Sequence, residues 1–184
     1  MSYDRQLERW TVLHRVGWLN PVFEALSWVG GQGLVWLAIA AVLAVWWRRP
    51  WLFFQVAVAD FTGQLISYGL KQAIGRERPN DVYTTPNQLV RAPHDGSFPS
   101  GHATVSFACA TLLAFYAPRG APAFFLLAAA IAWSRVYVGV HYPLDVLGGA
   151  VLGALLAMAL RFLAGALKAG SAGRETRPPG ASAL

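Results

Sequence analysis

Five long stretches of this chain are almost free of charge, and that pattern limits what it can fold into. Ala25 to Trp47 holds 23 residues without a charged side chain. It contains Gly30-Gly31-Gln32-Gly33, so its reliable helix is about Gln32–Trp47. Trp51–Ile74 carries a single acid, Asp60. Ala103–Pro118 has 16 uncharged residues, Gly120–Ser134 has 15, and Val146–Leu160 has 15. The last two continue apolar past Arg135 and Arg161. A bilayer-spanning helix needs about 20 mainly apolar residues, so the expected fold is an all-α integral membrane bundle of five transmembrane helices. Only 13% of the 184 residues are charged and 55% are hydrophobic, against roughly 25% charged in a soluble domain. A soluble domain, a disordered chain and a disulfide scaffold are thereby excluded; the lone Cys109 cannot form an internal bridge.

The first 24 residues read differently. Asp4, Arg5, Glu8, Arg9, His14, Arg15 and Glu24 crowd there, with Leu7, Trp10 and Leu13 near one helical face. That pattern predicts a helix lying in the membrane interface; if it crosses instead, the count becomes six. It lacks the layout of a signal peptide. The net charge of +6 sits mostly between apolar runs, which points to membrane orientation and anionic head groups, not nucleic acid. Arg48, Arg49, Arg119, Arg161, Lys168, Arg174 and Arg177 all fall on one side of a five-span arrangement. The positive-inside rule makes that side cytoplasmic. The 75–99 loop and the 135–145 connection then face outward from a bacterial inner membrane. Residues 1–169 read as one domain, and 170–184 as a flexible cytoplasmic tail.

Three polar groups gather at the outward ends. Lys71 and Arg78 are seven residues apart, about two turns, and share a face if the helix continues that far. Pro99-Ser100-Gly101-His102 opens the third run: Ser100 is a natural N-cap, and free first-turn N–H groups beside Gly101 make an anion site. Ser134-Arg135 is followed by His141 and Asp145, four apart around Pro143. Asp145 can reach one imidazole nitrogen and leave the other to attack or to move a proton. Taken singly these are compatible with a basic helix end, a capped helix and a structural His–Asp pair. Taken together they offer three cations, a helix N-terminus, two histidines and a carboxylate, which suits a tetrahedral oxyanion, a nucleophile and an acid.

Lys71-x6-Arg78-Pro79, Pro99-Ser100-Gly101-His102 and Ser134-Arg135-x5-His141-x3-Asp145 resemble, without departure, the three-part signature of the type 2 phosphatidic acid phosphatase (PAP2) superfamily. That superfamily includes bacterial lipid phosphatases and vanadium-dependent haloperoxidases, and the short chain is most similar to its undecaprenyl-diphosphate phosphatases. The resemblance implies that His141 is the nucleophile forming a phosphohistidine and that Asp145 orients it. His102 would protonate the leaving lipid oxygen and then activate water. Lys71, Arg78, Arg135, Ser100 and the Gly101 backbone would hold the phosphoryl oxygens. Phosphoryl transfer needs mainly positioning and charge compensation, which three cations supply without a metal or other cofactor. The carboxylates Glu77, Asp81 and Asp95 are scattered, and no zinc-like Cys/His set is present. The expected partners are a membrane lipid phosphate and the bilayer.

Asp60, inside the second run, is costly there; a hydrogen-bonded role between helices is preferred to a proton relay. Gly149 and Gly153 form a small-xxx-small pair, suited to close helix packing or to a homodimer contact. Cys109 reads as core. His94 and Asp95 shape a head-group entrance or a solvated loop. Trp46, Trp47, Trp51, Trp133, Tyr137 and Tyr142 fit two interfacial belts. The leading reading is a lipid phosphate phosphatase acting on polyprenyl diphosphate, with phosphatidylglycerol phosphate or phosphatidic acid as alternatives. The competing classes are a vanadate-dependent oxidase, against which the apolar runs argue, and a non-hydrolysing lipid-binding or transport protein.

Overall fold

A computed structural model describes residues 2–175. All regular structure among them is helical. In chain order the helices are α1 (Tyr3–Leu13), α2 (Asn20–Val29), α3 (Leu34–Trp46), α4 (Pro50–Ile74), α5 (Pro79–Val82), α6 (Gly101–Tyr116), α7 (Ala121–Tyr137) and α8 (Pro143–Glu175). Short 3₁₀ turns sit at Gly17–Leu19, Gly31–Gly33 and Pro118–Gly120. Pro50, Pro122 and Pro143 stand in the first turns of α4, α7 and α8, where a missing N–H costs nothing.

The first apolar run is broken into two helices. Gly17–Val29 and Leu34–Trp46 meet at 64°, and Gly33 takes a left-handed φ of 70° at the joint. A side chain there would also run into the Asp60 carboxyl group. This arm starts well before Ala25 and takes in Glu24. By length and composition, Pro118–Tyr137 and Pro143–Leu167 can each cross a membrane, and the bent arm is a third candidate. Helix α4 is long enough, with 25 residues, but is diluted by Gln55, Asp60, Gln64 and Lys71. Helix α6 has 16 residues.

Helix α6 is the hub, packed against α4, α7 and α8. Trp36, Val56, Leu112, Leu113, Ile131 and Ala157 fill the core around it. Lipid tails are as apolar as these side chains, so close backbone approach, not exclusion of water, holds such helices together. Gly149 and Gly153 show how. A Cβ on Gly149 would stand 2.6 Å from the Ser100 carbonyl oxygen, and one on Gly153 would stand 2.9 Å from the Ala108 amide. The glycine pair is therefore spent inside the chain against α6, and the homodimer reading of that pair is corrected.

Helix α1 turns its polar side inward. Asp4, Glu8, Thr11 and Val12 are buried, while Leu7, Trp10 and Leu13 are exposed, an arrangement that suits contact with lipid outside and protein inside. It packs on α7 and α8. Trp46, Trp51 and Trp133 are exposed, as belt residues are, but Tyr137 and Tyr142 are not. The Tyr137 hydroxyl hydrogen-bonds Asn20 and the Val16 backbone, and Tyr142 lies beneath Arg76; both are interior packing residues. Helix α8 continues through Gly170 to Glu175. The rest of the expected tail, 176–184, lies outside the described residues.

Candidate functional site

The polar groups converge where α4 ends and where α6 and α8 begin. Helix α4 stops at Ile74, so the condition for Lys71 and Arg78 to share a helical face is not met. Gly75, with φ of 59°, caps α4 and turns the chain. That turn sends Arg78 back toward the bundle, where it is almost wholly buried. Pro79 then starts the single turn of α5.

Arg78 is the centre of the cluster. Its Nη1 donates to the Val140 carbonyl at 3.0 Å and lies 3.3 Å from His141 Nε2. Its Nη2 reaches Asp95 Oδ1 at 2.5 Å and the Gly96 carbonyl at 3.3 Å; its Nε donates to the Asp95 carbonyl at 2.9 Å. Lys71 Nζ pairs with the other Asp95 oxygen at 3.1 Å. One carboxylate therefore bridges two of the three expected phosphate-holding cations. Burial pushes the Asp95 carboxyl up, but hydrogen bonds and charge from Arg78 and Lys71 outweigh this and hold it below the usual range.

His141 stands in the turn between α7 and α8. Its Nδ1 faces Asp145 Oδ2 at 3.5 Å, within ion-pair range but without hydrogen-bond geometry. Burial, then the charges of Arg78, Arg135 and Lys71, keep this imidazole well below the ordinary histidine range. It is neutral at neutral pH, with a lone pair available. Asp145 is fully buried in the first turn of α8. Its Oδ2 accepts the Tyr142 N–H at 2.8 Å, and its backbone carbonyl accepts the Ser100 N–H at 2.9 Å. That contact ties the start of α6 to the start of α8.

Ser100 caps α6, its hydroxyl 3.5 Å from the Ala103 amide. Gly101 and His102 follow and line a cavity of about 230 Å³ with Lys71 and Asp95. His102 and Arg135 also line a larger cavity of about 790 Å³, walled by Trp28, Leu34, Val35 and Arg91. His102 Nε2 meets the Ser27 carbonyl at 3.1 Å. A carbonyl only accepts, so the proton is on Nε2 and Nδ1 is left for proton transfer. Arg135 donates to the Ser27 hydroxyl, and its buried Nε has no hydrogen-bond partner among the described residues. A separate apolar groove of about 590 Å³ between α4 and α8 contains Trp51, Phe54 and Leu163. It holds none of these groups.

The structure thus brings Lys71, Arg78, Ser100, Gly101, His102, Arg135, His141 and Asp145 to one end of the bundle. Sequence reasoning missed three neighbours. Ser27 holds both Arg135 and His102. Arg76 Nη1 reaches Asp145 Oδ1, and its Nη2 reaches Asp4 Oδ2, each at 2.5 Å. The inward polar face of α1 was the one available signal for Asp4.

The chain is 40% identical over 129 residues to decaprenylphosphoryl-5-phosphoribose phosphatase of Mycolicibacterium smegmatis, covering 68% of each protein. It is 28% identical over 154 residues to the undecaprenyl-diphosphatase of Sulfolobus acidocaldarius, covering 83% of this chain and 74% of that one. A transmembrane PAP2 type phosphatidylglycerolphosphate phosphatase from Bacillus subtilis superimposes with a TM-score of 0.72 at 28% identity, over 87% of this chain and 83% of that one. The PAP2 superfamily pattern matches residues 51–167, the stretch from α4 to α8 that carries every converging motif: the chain belongs to the PAP2 superfamily, whose phosphatase members are hydrolases acting on lipid phosphates.

Proposed function

We propose that this protein removes the terminal phosphate of a bilayer-anchored polyprenyl diphosphate, leaving the monophosphate. The observation that carries the chemistry is the setting of His141. Its Nδ1 faces Asp145 at 3.5 Å, and its Nε2 faces the cation cluster through Arg78 at 3.3 Å. Nε2 attacks phosphorus, the bond from phosphorus to the lipid-side oxygen breaks, and His102, which enters the cycle with a second proton on Nδ1, gives that proton to the oxygen. Water then attacks the phosphohistidine, His102 takes its proton, and inorganic phosphate leaves with His141 restored. Lys71, Arg78, Arg135, Ser100 and the Gly101 amide hold the phosphoryl oxygens as charge spreads over them. No step requires a metal.

Two features support a diphosphate with a long apolar tail. The larger cavity passes from His102 and Arg135 along Trp28, Leu34 and Val35, which suits the lipid side of the leaving group. Arg91 lines the same cavity and suits its second phosphate. The undecaprenyl-diphosphatase relative agrees with this choice. The reading also places five crossings in a bacterial inner membrane, with the site outward. Arg161 lies 5.8 Å from the ring centre of Tyr116, at the end of α6. The connections with Arg48 and Arg119 share that end, opposite His141, which the positive-inside rule assigns to the cytoplasm.

The test is phosphate release by detergent-solubilised protein from undecaprenyl diphosphate, phosphatidylglycerol phosphate and phosphatidic acid. Undecaprenyl diphosphate is expected to give the highest kcat/KM. His141→Ala should abolish release from all three while the protein stays monodisperse, and EDTA should leave the rates unchanged. A preference for phosphatidic acid would overturn the substrate, and EDTA-sensitive activity restored by Mg²⁺ would overturn the mechanism.

A further inference from the structure

The hydrogen bonds behind His141 do not stop at Asp145. Asp145 Oδ1 accepts from Arg76, and the other end of that guanidinium is held by Asp4, on α1. The second Asp4 oxygen accepts the Leu144 N–H at 2.8 Å. Leu144 lies in the first turn of α8, one residue before Asp145, where backbone N–H groups have no partner within the helix. Arg76 is also stacked on the Tyr142 ring, 4.4 Å from its centre. Side-chain exposure is 4% for Asp4, 26% for Arg76 and 0% for Asp145.

The charges explain why a second carboxylate belongs there. Asp145 paired with Arg76 alone would be neutral overall, and the imidazole would face a spent carboxylate. With Asp4 on the far side, the Asp4–Arg76–Asp145 group carries one net negative charge, and part of it falls on Asp145 beside His141 Nδ1. His141 also has a backbone hydrogen bond at Ser97, and otherwise faces cations, Arg78 from the loop after α4, Lys71 from α4 and Arg135 from α7, with His102 on α6. A nucleophile that becomes positive as it binds phosphorus needs that negative charge.

We propose that Asp4 and Arg76 are positioning residues for the hydrolysis, and that α1, which lies outside the stretch matched by the family pattern, is part of the catalytic unit. This rests on His141 being the nucleophile. The two residues act through Asp145 and do not touch substrate. They fix the first turn of α8 and set how much of the Asp145 charge reaches the imidazole.

The test is Asp4→Asn, which keeps an oxygen for the Leu144 N–H and removes the charge. Removing the outer partner of a working histidine ligand typically costs 10- to 100-fold where it has been measured at metal sites, so kcat should fall about tenfold. KM and vanadate affinity should stay within about twofold, because the phosphate-holding groups are elsewhere. His141 should become harder to protonate, and its ¹³C-imidazole titration in detergent should move to lower pH; this reading needs no substrate. Asp4→Glu should recover part of kcat. Unchanged kcat with an unchanged titration would overturn the proposal. So would a loss of kcat matched by lost vanadate binding and a lower Tm, which marks a merely structural contact. If the unaltered protein releases no phosphate from any lipid, the hydrolase reading fails, and the titration still reports on the coupling.

Discussion

Asp95 puts both carboxylate oxygens on cations expected to hold phosphate, Lys71 at 3.1 Å and Arg78 at 2.5 Å. An arriving phosphoryl group and this carboxylate want the same donors. Asp95→Asn should therefore tighten vanadate inhibition about tenfold, since a hydrogen bond to a charged group contributes about 1.5–3 kcal/mol. Weaker vanadate binding in that variant would show that Asp95 orients the cations instead. Much of this site was legible from residues alone because ionisable side chains stand out at the ends of apolar runs. His102, Arg135 and His141 had few rivals there. Asp4, Arg76 and Ser27 were not legible, for a physical reason. Their partners are 72, 69 and 108 residues away, and each is locally ordinary. Arg76 reads as spacer between Lys71 and Arg78, and Ser27 as one hydroxyl in an apolar stretch.

Among the helices, α1 carries a second buried acid whose titration tests its docking. Burial, helped by repulsion from Asp4, raises the Glu8 carboxyl to about 7 against opposing charge from Arg9 and Arg15. The folded chain therefore keeps a proton that the unfolded chain releases near pH 4.5. Stability should fall as pH rises from about 4.5 to about 7 and level off above. Glu8→Gln should flatten that slope, read as Tm against pH; an unaltered slope would assign it to another group. The α6–α8 contact gives a sharper test. A methyl at Gly153 would press on the α6 backbone near Thr104 and Ala108. Gly153→Ala should cost about 1–3 kcal/mol, the usual range for overpacking, seen as a lower unfolding temperature in detergent. Element boundaries were readable for α4, α6, α7 and the start of α8 from charge and proline. The second half of the bent arm was readable too, as Gln32–Trp47 against the observed Leu34–Trp46; its first half, Gly17–Val29, was not, because Glu24 made it look unsuited to a bundle.

Over the whole molecule, the basic connections at Arg48, Arg49 and Arg119 oppose the end that holds His141. In a Cys109→Ser background, Ser2→Cys should react with a membrane-impermeant thiol reagent on whole cells, and Ser182→Cys should be protected. A labelled Ser182→Cys would reverse the orientation, and protection at both ends would mean six crossings. The Asp95 bridge bears on a different stage of the cycle. On the proposed mechanism, hydrolysis leaves inorganic phosphate between Lys71 and Arg78, and a trap built only of cations would part with it slowly. A carboxylate tethered 17 and 24 residues from its partners meets them at an effective concentration in the millimolar range. It reclaims both cations as the product loosens, so ground-state grip is traded for turnover, and each round ends with one of the two positive charges offset.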